Sequence, residues 1–296
     1  MNPFEVILNS VVPVLLLIVA GFGYSRFRTM DIRALVDFII DVAVPCLVLA
    51  RLTANPPSGG DMLVIIAGNA VVVWGVIGLT FLAHRARLTR SRSAFMTAPF
   101  ANAVNIPVPL ALLAFGAGAV TNQLIYAIAN MCFMYLVGTW LVVGHQKGIR
   151  QVLRLPPVWA LVVAVGMVAL EVRLPQFIHT PVALVGDTVV PLLLFALGYQ
   201  LSSMGLTRIQ DAVLPVALRM GGGLVMGVLF VAIARPSQPV AQAVLLGCAM
   251  PPAIQTYLLC AKFDVDPDIA ASGVVLGTVT AALLIPVLVP IIVMYV

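Results

Sequence analysis

Charged residues are scarce in this chain of 296 residues. They make up 9% of it, whereas about 25% is usual for a soluble domain. Hydrophobic residues make up 62%, and the mean hydropathy is +1.12. The composition therefore predicts a polytopic membrane protein. The net charge of +5 comes from basic residues between apolar runs, with no basic stripe and no interleaved aromatic residues, so nucleic-acid binding is not expected.

Motifs of metal binding and catalysis are also missing. The four cysteines, Cys46, Cys132, Cys248 and Cys260, lie inside apolar runs without a CxxC or Cys/His spacing, so buried free thiols and no metal site are expected. The chain has no H-E-x-x-H, no G-x-S-x-G and no glycine-flanked pair of intramembrane aspartates, so neither an enzyme nor a bound cofactor is expected. The start, MNPFEVILNS, has an acidic residue and no positive leader region, which favours a retained first span over a signal peptide.

What the sequence has in abundance is apolar runs close to the roughly 20 residues that a helix needs to cross the hydrocarbon core. Ten such runs follow one another with short linkers, which predicts an all-α integral membrane protein with ten transmembrane helices. The predicted spans are Phe4–Tyr24, Ala34–Arg51, Met62–Ala83, Ala94–Phe115, Asn122–Gly144, Val158–Val172, Pro181–Leu201, Ala212–Ala234, Val240–Ala261 and Ile269–Tyr295.

The distribution of positive charge predicts the orientation in the membrane. Most of the 16 lysines and arginines lie in the loops that follow spans 1, 3, 5, 7 and 9. The positive-inside rule places these loops in the cytoplasm and both termini on the other side. The residues concerned are Arg26, Arg28, Arg33, Arg85, Arg87, Arg90, Arg92, Lys147, Arg150, Arg154, Arg208 and Lys262.

The basic loop HQKGIRQVLRLPP divides the chain nearly in half and leaves five predicted spans on each side. An odd number of spans in each half forces the two halves into opposite orientations, which is typical of an inverted repeat. We therefore predict a first five-helix repeat over residues 1–146 and a second, inverted repeat over residues 150–296.

Two of the spans contain helix breakers near their middle. Span 4 reads PFANAVNIPVPLALLAFG and span 9 reads LGCAMPPAIQTYLLCAKF. Proline removes an amide donor and clashes with the preceding turn, so a regular helix cannot continue through either cluster. The rise of a helix places both clusters close to the bilayer centre, about 13 Å into span 4. Non-helical backbone at that depth must be buried in protein or line a watery cavity.

These broken spans predict a binding site at the membrane midplane. We expect Pro109 and Pro252 to begin the second half of each span, so that free N–H groups and positive dipole ends face the centre. Together with nearby carboxamides they would bind an anionic oxygen group, preferably a carboxylate. Asn130 and Tyr257 either face this site or simply pack. The predicted substrate-binding residues are Asn102, Asn105, Pro107, Pro109, Asn130, Pro251, Pro252, Gln255 and Tyr257.

Ionisable residues inside spans are functional candidates because they are costly there. Asp41 and Asp187 are candidates for ion coupling as a proton carrier or a sodium ligand, and structural hydrogen bonding is the alternative. Arg219 is a third candidate; it could pair with an acid, attract an anionic substrate or snorkel to the cytoplasmic face. Asp37 lies nearer the membrane surface, where we expect it to pair with Arg33 or with a cation at the lipid surface.

Several of these segments resemble the auxin efflux carrier family, in particular a bacterial member, within the bile acid/arsenite/riboflavin transporter superfamily. VVPVLLLIVAGFGYSR resembles the opening span, NAVNIPVP resembles the span 4 signature N-x-G-N/F-x-G-x-P, and AMPPAIQTY resembles the span 9 signature A-M-P-x-A-x-N-x-Y. The resemblance covers essentially the whole length. Val104 and Pro107 stand where the family has glycine, and Gln255 stands where asparagine is usual.

The resemblance implies two inverted five-helix repeats in which broken helices 4 and 9 cross. It also implies a scaffold of helices 1, 2, 6 and 7, often dimeric, and a transport domain of helices 3–5 and 8–10 that moves as an elevator. Substrates in the family are organic acids, such as malonate or malate in bacterial relatives. We therefore predict a secondary transporter of small mono- or dicarboxylates in the bacterial inner membrane, working as a homodimer, with H+ or Na+ as the possible coupling ion.

The alternative is a sodium- or proton-coupled carrier of the bile-acid symporter or cation antiporter type, which also has broken helices that cross. Such ion carriers usually place carboxylates beside the crossing, whereas this chain places amides and prolines there. The sequence thus favours an organic anion over a bare cation. The departures at Val104, Pro107 and Gln255 leave the identity of the acid open.

Overall fold

The computed structural model of the protein describes residues 3–144 and 148–295. Residues 145–147, which include Lys147 and the end of the first predicted repeat, lie outside the described residues. Within the described ranges the chain is 82% helix and has no strand. The prediction of an all-helical protein is therefore confirmed.

Thirteen helices, α1 to α13, follow one another through the described ranges. Several contain a wider π-helical turn, for example Ile39–Ala43 and Leu218–Gly222. Their bounds are Phe4–Phe27 (α1), 32–54 (α2), Gly59–Arg85 (α3), Ala94–Thr97 (α4), 107–115 (α5), Ala117–Val143 (α6), Gly148–Val152 (α7), Pro156–Ala169 (α8), Gln176–Ser203 (α9), Ile209–Ala234 (α10), Gln238–Cys248 (α11), Ile254–Phe263 (α12) and Pro267–Tyr295 (α13).

Six of the described helices are long and apolar enough to cross a membrane: α1, α3, α6, α9, α10 and α13. The other four predicted spans differ for visible reasons. Span 2 corresponds to α2, which carries charged residues along its length, and span 6 corresponds to the shorter α8. Spans 4 and 9 are each divided between two short helices. The arrangement of ten spans in two inverted repeats stays a prediction.

Close contacts join helices from the two halves of the chain. α1 packs along α9, and a Cβ atom at Gly21 or Gly198 would collide with the carbonyl oxygen of Phe195 or Ile18, respectively. Small residues allow this close approach, which is a common way to pack helices in membranes. α2 packs in turn against α8 and α9, and α3 packs against α6 and α10.

Predicted spans 4 and 9 are each interrupted by a non-helical segment. We call these segments the first break (residues 98–106) and the second break (residues 249–253). The predicted discontinuity of both segments is thus observed. The helix after the first break begins at Pro107 and not at Pro109, since Pro107 already has the fixed φ that suits a first helical position. The helix after the second break begins at Ile254 and not at Pro252, because the preceding Ala253 is extended (φ −70°, ψ 142°).

Candidate functional site

The two breaks are bonded to each other through their main chains. The N–H of Asn102 donates to the carbonyl of Pro251 at 2.7 Å, and the N–H of Ala253 donates to the carbonyl of Phe100 at 3.1 Å. These bonds form an isolated antiparallel bridge between Ala101 and Pro252. Each break contributes one donor and one acceptor, so backbone groups that would be costly to leave unpaired inside a membrane satisfy each other.

An asparagine within the first break organises its turn. The side-chain Oδ1 of Asn102 accepts the N–H of Asn105 at 3.1 Å, as asparagine commonly does in turns. Both residues are buried, with 3% and 7% of their surface exposed. The Nδ2 of Asn102 has no hydrogen-bond partner in the described part of the chain. A buried donor therefore remains free beside the bridge.

Two amides from α6 hold the carbonyls of the first break. Asn130 donates through Nδ2 to the carbonyl of Ala101 at 2.9 Å, and Gln123 donates through Nε2 to the carbonyl of Ala103 at 3.2 Å. Sequence reasoning identified Asn130 but missed Gln123. The signal was present, because residues seven apart lie on the same face of a helix. The second amide atom of each, Asn130 Oδ1 and Gln123 Oε1, is buried without a partner among the described residues.

Arg219 is fully buried and donates to backbone oxygens at the edges of both breaks. Its Nη1 lies 2.6 Å from the carbonyl oxygen of Pro99, and its Nη2 lies 3.0 Å from that of Cys248. The interpretation that Arg219 snorkels to the surface is wrong. Pairing with an acid is also not observed, since the ion pairs of the described residues involve other arginines.

Three neighbouring cavities run outward from the breaks. The crossing cavity, about 20 Å³, lies against both breaks and α6 and has room for little more than a water molecule. The middle cavity, about 240 Å³, separates α2, α8 and α9 from the first break, α6 and α12. The outer cavity, about 350 Å³, is lined by two basic residues, Arg154 and Lys262. Gln255 lines all three cavities, and Tyr135 lines the middle and outer ones.

The remaining predicted substrate-binding residues are divided between the site and the packing around it. Pro107 and Pro109 are buried at the start of α5, and Pro251 supplies an acceptor of the bridge. The ring of Pro252 packs against α13 at Gly277. Tyr257 is half-buried among hydrophobic clusters and lines none of the three cavities.

The acidic residues of α2 and α9 lie away from the bridge. Asp187 is 55% exposed and accepts from Arg51 at 2.6 Å, which makes an ion pair between α2 and α9. Asp41 is exposed. Asp37 lines the middle cavity, and the predicted ion pair between Asp37 and Arg33 is absent from the described part of the chain.

A larger cavity lies elsewhere, at the ends of α2 and α8 and the start of α9. Its volume is about 760 Å³, and its lining includes Thr53, Arg173 and His179. It shares no lining residue with the three cavities at the breaks. Size alone therefore does not identify the candidate site, whereas the convergence of buried polar groups does.

Comparison with known proteins gives one family. Residues 141–289 match the family described as membrane transport protein. The matched range runs from the end of α6 into α13, so it contains Arg219 and the second break but not the first. No curated protein matches the chain significantly.

Proposed function

Because the chain belongs to the membrane transport protein family, which is auxin efflux carrier-like, we propose that it carries small organic anions across the bacterial inner membrane. The family and the six long apolar helices make the chain a multi-pass membrane transporter. A transporter family also favours transport over catalysis. The proposed substrates are mono- or dicarboxylates such as malonate or malate, bound in the middle cavity with a carboxylate directed toward the paired breaks.

The observation that carries this proposal is the polar surface of the paired breaks. Among the described residues that line the crossing cavity, the polar side chains are amides: Asn102, Asn105, Asn130 and Gln255. Amide N–H groups donate to a carboxylate without placing a second charge in the membrane. Helix α12 begins beside the cavity, and its N-terminus adds the positive end of a helix dipole. The free Nδ2 donor of Asn102 and the helix N-terminus together favour an anion.

The chain of cavities supports a route to that site. Arg154 and Lys262 at the outer cavity would raise the local concentration of an anion. The middle cavity is large enough for a small organic acid and presents Asn105 and Gln255 on its inner side. Arg154, before α8, and Lys262, in the last turn of α12, lie at positions that the charge distribution predicts to be cytoplasmic. The proposed route therefore opens to the cytoplasm, with both termini on the opposite side.

Helix packing supports the proposal of two inverted repeats. α1 packs on α9 and α8 packs on α2, which in span numbers are the pairs 1–7 and 6–2. A two-fold axis relating spans 1–5 to spans 6–10 exchanges these pairs. The bridge between the breaks obeys the same exchange, because each break gives one donor and one acceptor. We assign α1, α2, α8 and α9 to a scaffold that dimerises, and the remaining helices to a transport domain that moves as an elevator.

Uptake of labelled malonate and malate into proteoliposomes tests the proposed function. Asn105→Ala and Gln255→Ala should each lower the uptake rate about tenfold, as expected from one lost hydrogen bond to a charged group. Asn55→Ala removes an exposed amide in the loop after α2 and should leave uptake unchanged. Wild-type uptake by both site variants would contradict a site at the breaks.

The same uptake assay distinguishes ion-coupled transport of acids from cation antiport and from uniport. Uptake that follows an imposed proton gradient, and that Asp41→Asn or Asp187→Asn abolishes, would assign one of these residues to coupling. Response to cation gradients without transport of any acid would favour a cation antiporter. Uptake of acids with neither gradient would indicate a uniporter.

A further inference from the structure

Arg219 places a permanent positive charge in the interior of the protein without an acidic partner. Its exposed fraction is 0%, and the ion pairs found among the described residues are Arg51–Asp187 and Arg208–Asp211. Burying a lone charge in this way is expensive, especially within a membrane. The partners that offset the cost are two main-chain oxygens, those of Pro99 and Cys248.

These two oxygens occupy equivalent places at the two breaks. Cys248 is the last residue of α11, and Pro99 follows α4 by two residues, so each carbonyl lies where its chain segment leaves helical structure. Carbonyls at such points have lost their helical partners, and that of Cys248 also lies at the negative end of the dipole of α11. In transporters built from broken helices, carbonyls of this kind are the ligands of a coupling Na+.

The fold contains a slot shaped for the guanidinium group. Arg219 lies in the π-helical turn Leu218–Gly222, and Gly223 follows one turn later on the same face. A Cβ atom at Gly223 would collide with Nη2 of Arg219 and would approach the carbonyl oxygen of Cys248 to 2.8 Å. Only glycine leaves this space open, so the position of the charge is fixed by packing as well as by hydrogen bonds.

We propose that Arg219 is a tethered cation that fills the place of a coupling Na+ between the two breaks, so that transport requires no Na+. This inference rests on the proposed function. The guanidinium bonds to an oxygen at each break and repels a second cation at the same point. Because the charge is covalently attached, it holds the crossing together in every step of the transport cycle, and no ion has to bind or leave.

The wild-type protein gives the first test. Thermal unfolding of the purified full chain is measured in NaCl and in choline chloride at equal ionic strength, and uptake of malate is measured in the same two salts. The expected result is the same melting temperature and the same uptake rate in both. A melting temperature raised by Na+ alone, or uptake that needs Na+, would overturn the proposal.

Variants at the position supply the second test. Arg219→Gln removes the charge and leaves an oxygen without its donor, so the melting temperature should fall by about 2–4 °C or more. Na+, but not choline, should recover part of this loss. Arg219→Lys keeps the charge and should remain insensitive to Na+. Arg90→Gln, at an exposed loop arginine, should match the wild type.

Each result bears on one proposal at a time. An Arg219→Gln variant with wild-type stability, or one that is destabilised but gains no response to Na+, overturns the tethered cation. If Arg219→Gln does not fold, the wild type and Arg219→Lys decide the question by their response to Na+. If no organic acid is transported in any salt, the proposed substrate class fails, while the unfolding measurements still test the cation.

Discussion

The first and second breaks reach the same main-chain junction by different physical means. The first break is held by side-chain amides, since Gln123 and Asn130 donate to its carbonyls and Asn102 closes its turn. The second break contains Pro251 and Pro252, which have no N–H groups to satisfy and are rigid. The difference shows that side-chain hydrogen bonds fix one side of the crossing, while proline rings stiffen the other.

The largest expected loss of stability comes from disturbing the packing of the second break. Gly277→Ala places a methyl group against the ring of Pro252, which lies between Pro251 and Ala253, the two residues of the second break that bond to the first. Overpacking of this kind costs typically about 1–3 kcal/mol, and a rigid ring favours the upper end. Thermal unfolding in detergent should show the loss.

Gly166→Ala is the matched control for that substitution. Gly166 also lies inside a helix, but a Cβ atom there would meet nothing within 4 Å. Alanine is a better helix former than glycine, so this variant should be as stable as the wild type or more stable by up to about 1 kcal/mol. Equal losses in the two variants would show that the packing of Pro252 is unimportant.

A somewhat smaller loss of stability is expected when an amide that holds the first break is replaced. Asn130→Leu takes the Nδ2 donor away from the buried carbonyl of Ala101 and should destabilise the protein by about 1–2 kcal/mol. Asn69→Leu is the control, because neither buried polar atom of Asn69 makes a well-formed hydrogen bond in the described ranges, and the Tyr126 hydroxyl is a weak partner at most. Its removal should be neutral or stabilising. If chemical denaturation shows a larger loss of stability for Asn69→Leu than for Asn130→Leu, the first break is not held by amides.

The smallest effect should follow from removing a side-chain hydrogen bond at the second break. Thr256 donates through Oγ1 to the carbonyl of Ala253 at 2.6 Å, but its own N–H donates to the same oxygen at 3.0 Å. The oxygen therefore keeps a partner in Thr256→Val. We expect a loss of about 0.5–1 kcal/mol, less than that of Asn130→Leu. A larger loss than that of Asn130→Leu would reverse the comparison between the breaks.

Much of the fold follows from one-dimensional patterns. Six of the ten apolar runs coincide with long apolar helices of the structure, and the proline clusters mark both interruptions, because proline acts on its own backbone and on the preceding turn. The exact starts of α5 and α12 were missed. They depend on which residues enter the bridge, and that depends on contacts between segments about 150 residues apart in the chain.

The candidate site was predicted less completely. Asn102, Asn105 and Gln255 were predicted because amides near prolines within apolar spans are unusual, and the structure places all three on the crossing cavity. The partners of Arg219 could not be found in this way. They are main-chain oxygens, which every residue has, so no side-chain pattern identifies them. The space that holds the Arg219 guanidinium likewise depends on a π-helical turn, which no pattern in the local sequence predicts.

The bridge between Ala101 and Pro252 is made by main-chain atoms alone, which has a consequence for how such proteins diversify. Replacing a side chain nearby does not remove a donor or an acceptor of the bridge unless the new residue is proline. Val104 and Gln255 can therefore change in size and polarity while the crossing persists. A fold of this kind separates the main-chain bonds that form the crossing from the side chains that surround it.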